Sequence, residues 1–160
     1  MGFYYNPNIH PLKEYLRRAD SVNRAAEILG IRVISGHREY NPEKFLRQMV
    51  FREEQRCTLC YQSRLERTRN MALKGGFDFF TSTLLFSKRQ KHDLVKSLGE
   101  SLSRKKSAFF YEDFRQGWGK GRAMAREMGL YQQNYCGCVY SEFERFRREL
   151  APHPWPSDAE

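Results

Sequence analysis

Short β-forming runs recur along this chain with helix-period stretches between them, and that alternation narrows the fold more than any other feature. Phe3-Tyr4-Tyr5 stops at the turn cluster Asn6-Pro7-Asn8. Pro11 then opens a predicted helix to Leu29, with Leu12, Tyr15, Leu16, Ala19, Ala26 and Leu29 on one side and Gly30 ending it. Ile31 to Ile34 reads as the next strand. Asn41-Pro42-Glu43 reads as the cap and first turn of a helix through about Phe51. A further helix is predicted from near Cys57 to Gly75-Gly76, then a strand over Phe77–Phe80, the loop Thr81-Ser82-Thr83, and a helix from about Lys88 to Leu98. Ala108–Tyr111 is the last strand candidate. A helix over Arg122–Met128 precedes Gly129, and the capping-box spacing of Ser141 and Glu144 starts a final helix to about Leu150. Strands separated by helices fit one α/β domain over residues 1–150, with a mostly parallel sheet flanked by helices and ligands gathered at the C-terminal strand ends. Pro152, Pro154 and Pro156 make 151–160 a proline-rich tail without regular structure.

Composition removes several classes. Hydrophobic residues make up 40% of the 160, which suffices for a core, and no apolar run approaches the roughly 20 residues of a membrane span. The start, Met1-Gly2-Phe3-Tyr4-Tyr5, has no basic or long apolar signal region, so the expectation is a cytoplasmic protein with reduced thiols. The net charge is +9, divided almost evenly between the halves of the chain. An excess spread over a folded domain favours a polyanion, nucleic acid first among them.

All four cysteines fall in two tight pairs, Cys57-Thr58-Leu59-Cys60 and Cys136-Gly137-Cys138. On a helix start, Cys57 and Cys60 lean to one side of the first turn and can share a metal centre. In the second pair, Gly137 lets the backbone curl and bring the sulfurs together. A disulfide closed over one residue is strained and easily reduced, which suits a redox couple. Zinc on all four thiolates and an iron–sulfur cluster both remain open by spacing alone. Gly117-x-Gly119-x-Gly121 reads as a flexible loop and not a phosphate loop. His10 and His37 are read as neither ligands nor acid–base groups, and His92 as solvated. Basic groups at Arg64/Arg67, Lys88/Arg89/Lys91, Arg104/Lys105/Lys106 and Arg145/Arg147/Arg148 can follow a folded RNA backbone.

Five ordered motifs resemble one family. They are Tyr5-Asn6-Pro7-Asn8-Ile9-His10-Pro11; Cys57-x-x-Cys60-Tyr61-x-x-Arg64-Leu65; Phe77-Asp78-x-Phe80-Thr81-x-Thr83-Leu84-Leu85; Asp113-Phe114-Arg115; and Tyr131-x-Gln133-Asn134-Tyr135-Cys136-Gly137-Cys138-x-Tyr140-Ser141. Together they look like epoxyqueuosine reductase of the QueH type, from residue 2 to about 148. The resemblance implies cobalamin-independent, two-electron reduction of the epoxide of epoxyqueuosine at the tRNA wobble position, with electrons from a donor the residues do not identify. It implies a [4Fe–4S] cluster with Cys57 and Cys60 as two ligands, room for an additional iron, and a redox-active disulfide at Cys136 and Cys138. The departing oxygen needs a proton, for which Asp113, Tyr135 and a metal-bound water are the candidates, and Asp113, beside Arg115 near a strand end, ranks first. The implied fold is related to the adenine nucleotide alpha-hydrolase-like (HUP-like) group.

This sequence departs from the family at its start. Family members have an adjacent-cysteine segment upstream of the Gly-Phe-Tyr-Tyr run, on a first strand missing here, and those cysteines supply the other two ligands. The expectation is therefore an N-terminally truncated or mis-started chain, with a degenerate protein as the second choice, and with exposed apolar strand edges. Gln132 stands where the family often has a basic residue. Two rivals accompany this reading: a zinc-stabilised RNA-binding domain without catalysis, and a metal-free oxidoreductase acting on protein thiols.

Overall fold

In the computed structural model, which describes residues 1–151, β1 (Gly2–Tyr4) and β2 (Val33–Ser35) pair in parallel, Gly2 against Val33 and Tyr4 against Ser35. The crossover between them is α1 (Leu12–Leu29), which Gly30 ends in the left-handed conformation at φ 63°. Next come α2 (Pro42–Met49), capped by the Asn41 side chain, and α3 (Arg56–Lys74). β3 (Phe79–Phe80) and β4 (Ala108–Phe109) form a second parallel pair, joined through α4 (His92–Leu102). The chain continues through α5 (Trp118–Glu127) and α6 (Val139–Phe146). The α/β reading holds and both pairings are parallel, but the strands form two separate two-stranded sheets instead of one. Phe79 and Phe110, edge to face at 6.5 Å, keep apolar surface in solvent at the second sheet. The proline-rich tail, 152–160, lies outside the described residues.

α3 is the spine. Tyr61, Leu65 and Ala72 bury one face against Phe80, Leu84, Leu85, Val95 and Leu102, the largest core. Near its start, Leu59 and Cys60 pack against a small core of Phe45 and Met49 from α2 with Cys138. A third core joins Tyr4 and Ile9 to Tyr15 and Ala19 of α1.

Three local readings change in the folded chain. The glycine run 117–121 is not a loop: α5 begins at Trp118, and a Cβ on Gly121 would come within 2.6 Å of the Phe86 ring. Gly121 lets an aromatic lie against the helix. His92 is buried, not solvated, because it faces β4 from the first turn of α4, with Nε2 3.2 Å from the Tyr111 hydroxyl. The last helix begins at Val139, two residues before Ser141, because Cys138 takes the N-cap position and its Sγ accepts the Ser141 N–H at 3.4 Å.

Candidate functional site

Cys57 and Cys60 occupy the first turn of α3, both half-buried, and both pack against the main core. Cys60 also touches the Phe45–Met49–Cys138 core, so the two cysteine pairs meet at its side chain. Burial pushes the Cys60 thiol up to about 11, although the Arg64 cation beside it pulls the other way. A thiol in that environment stays protonated unless a cation replaces the proton.

Cys136 and Cys138 are free thiols with their sulfurs 3.6 Å apart. They behave as a unit. A hydrogen bond from Cys138, reinforced by Ser141 and by the Arg64 charge, holds the Cys136 thiol down at about 5, although burial opposes this. The same hydrogen bond, followed by burial, pushes Cys138 far above the usual thiol range. The two opposite shifts favour a state of the pair with one thiolate and one thiol. Gly137 makes the turn at φ 114°, and a Cβ there would fall 2.7 Å from Ile9 Cγ1 and 3.0 Å from Arg18 Nη1.

The loop is pinned from α1. Arg18, buried despite its charge, donates to the carbonyls of Cys136 at 2.9 Å and Tyr135 at 3.1 Å while pairing with Glu14 at 2.7 Å. The Tyr131 hydroxyl donates to the same Glu14 carboxylate. From the first loop, the His10 N–H donates to the Gly137 carbonyl at 2.7 Å, and the Tyr135 hydroxyl donates to the His10 carbonyl at 3.0 Å. Asn8 Oδ1 and both His10 ring nitrogens are buried without a hydrogen-bond partner, and burial lowers the His10 imidazole below its ordinary pKa.

Asp113 goes elsewhere. Its carboxylate is taken up by Arg115, at 2.8 and 2.6 Å, and caps the turn that follows. That pairing holds it far below the usual carboxylate range, so it has no proton to give at neutral pH. A carboxylate paired in this way is a poor fit to the role of acid expected of it from the sequence. Sequence reasoning also missed Glu14 and Arg18. Their signal was available: the two lie four apart on α1 and fall among Tyr15, Ala19 and the other core-facing positions, where unpaired charges are not tolerated.

For a metal centre, Cys57 and Cys60 fit as two thiolate ligands from one helical turn. Among the described residues, no group of three or more His, Cys, Asp and Glu side chains is arranged to hold a metal ion. These residues alone thus do not assemble the ligand set of a four-iron cluster.

Fold and site define a small α/β protein in which a helix-borne cysteine pair meets a hydrogen-bonded dithiol. The chain belongs to the QueH family: the family model described as epoxyqueuosine reductase QueH matches residues 1–144. The chain is 32% identical over 151 residues to epoxyqueuosine reductase QueH of Dehalococcoides mccartyi, covering 94% of this chain and 82% of that protein. The protein of that name from Thermotoga maritima is 36% identical over 154 residues, covering 89% of this chain and 79% of its own length. For Helicobacter pylori the identity is again 36% over 154 residues, with 88% and 41% covered.

Proposed function

We propose that this chain acts in the cytoplasm as an epoxyqueuosine reductase on tRNA, with Cys136 and Cys138 as its two-electron store. The observation that carries this reading is the dithiol itself: two free sulfurs 3.6 Å apart, sharing one proton, on a loop fixed by Arg18. Deoxygenating an epoxide to an alkene takes two electrons and two protons and releases water. Closing a thiolate and a thiol to a disulfide gives two electrons and one proton, so the second proton comes from solvent. The sulfurs need to approach by about 1.5 Å to reach bonding distance, within reach of side-chain rotation. An external reductant then reopens the disulfide. Cys57 and Cys60 are the two ligands this chain gives a [4Fe–4S] centre, whose chemistry when bound is one-electron transfer. Two thiolates alone do not hold such a cluster, so further ligands are needed beside Cys57 and Cys60.

Anaerobic turnover of epoxyqueuosine tRNA, read with iron content, tests the assignment. Cys136→Ser and Cys138→Ser are expected to abolish turnover and keep iron, whereas Cys57→Ser and Cys60→Ser lose iron. Equal iron loss in Cys136→Ser would make it a ligand and overturn its redox role.

A further inference from the structure

Phe51 has no place in the core or in the chemistry described so far, yet its conformation is the most unusual of any non-glycine residue described. It stands 95% exposed in the turn joining α2 to α3. It is also the only described residue other than glycine with positive φ, at 60°. A bulky side chain in the left-handed region is a true outlier, tolerated where surrounding contacts over-determine it. Those contacts are present. Phe45 and Met49, on the preceding helix, are buried against Cys138, and the Arg52 N–H donates to the Met49 carbonyl at 2.9 Å. The Phe51 N–H donates to the Glu53 carboxylate at 3.2 Å. Six residues after Phe51 comes Cys57. The turn therefore holds an aromatic ring out in solvent, on a rigid base, next to the cysteine site.

The surroundings indicate what the ring meets. Val50 and Arg52, on either side of it, both line a cleft of about 540 Å³ whose other walls include Lys44, Arg47, Gln48 and Asn41. The only acid in that lining, Glu43, is paired with Arg47 at 2.5 Å. Glu53 is engaged with the turn's own backbone. Lys44 and Arg52 are thus available to an anion. A presented aromatic face beside free cations complements an unpaired nucleotide, with the base on the ring and the phosphate on the cations.

Resting on the reductase reading, we propose that Phe51 is a stacking platform for an unpaired base of the tRNA anticodon loop, with Lys44 and Arg52 on the adjoining phosphates. This places the RNA contact on the turn between α2 and α3, whose preceding Met49 packs with Cys138, where it would hold the wobble nucleotide's neighbour while the modified base enters.

Binding of a fluorescently labelled anticodon stem-loop RNA, with a full-length tRNA as second probe, tests the proposal. Phe51→Ala should weaken binding by about tenfold or more, Phe51→Trp should retain it, and Phe51→Gly, which relieves the backbone strain, should weaken it as the alanine does. Arg52→Gln should weaken binding and reduce the log–log salt slope by about one. Thermal melting should stay at the wild-type value in Phe51→Ala, Phe51→Trp and Arg52→Gln and rise slightly in Phe51→Gly, which separates lost contact from lost fold. Wild-type affinity in both Phe51→Ala and Phe51→Gly, with normal turnover, would overturn the platform and leave the reductase reading standing. Unchanged RNA affinity with altered self-association would also overturn it, by assigning the ring to a protein contact. Failure of the wild-type chain to bind either RNA would overturn both.

Discussion

At Cys136 the acidity of one sulfur depends on the proton held by the other, and this can be measured directly. With Cys138 as its hydrogen-bond partner, Cys136 should alkylate at a rate that levels off above about pH 5. Cys138→Ala removes the largest cause of that depression, so the inflection should move up toward the ordinary thiol range, near 8.5. The readout is iodoacetamide labelling against pH, followed by mass spectrometry. Asp113 gives a contrasting case. Because Arg115 keeps it ionised, Asp113→Asn should cost turnover far less than the roughly hundredfold or more that loss of a general acid produces.

The buried ion pair on α1 organises a loop more than a hundred residues away in sequence. Arg18→Met would leave Glu14 buried with only Tyr131 as partner and two carbonyls without their donor, at an expected cost of about 3 kcal/mol in urea unfolding. α4 offers an independent check on packing. A methyl group added at Gly99 would reach within 2.3 Å of the Phe109 ring on β4, so Gly99→Ala should lower stability by about 1–3 kcal/mol, with part regained in the double variant with Phe109→Leu. Elements of this length were legible where a local signal marks both ends. α1 runs from its proline to its glycine, and α2 begins at its asparagine cap, as their residues predict. The misreadings have a common cause, which is that tertiary contact decided the local state. The Gly117–Gly121 segment has poor helix propensity, but Phe86 packs on it and Gly121 removes the clash. His92 sits in a polar sequence and is buried because Tyr111 lies opposite. The cysteine pairs were legible by spacing, whereas the arginine pinning one of them is separated by 118 residues from the carbonyl it holds.

Across the whole molecule, the positive excess of +9 has no single tail to account for it. RNA binding should therefore draw on many weak phosphate contacts and be strongly salt-dependent. Affinity for tRNA is expected to fall at least ~10-fold between 50 and 200 mM salt, with log Kd linear in log salt. A flat dependence, measured by filter binding or fluorescence titration, would remove the electrostatic part of the substrate reading. No described helix is long and apolar enough to cross a membrane. The clasp between the first loop and the dithiol loop bears on when the protein becomes reactive. The Tyr135 hydroxyl reaches back 125 residues to the His10 carbonyl, and Gly137 is held by the same segment. Contacts this distant in sequence close late in folding, since the loop entropy must be met before they reward it. Until residue 137 has been made, the N-terminal half of the clasp has no partner. The dithiol thus acquires its clasped position only once residues 10 and 135 have met, so a late step of folding decides when the site is in place.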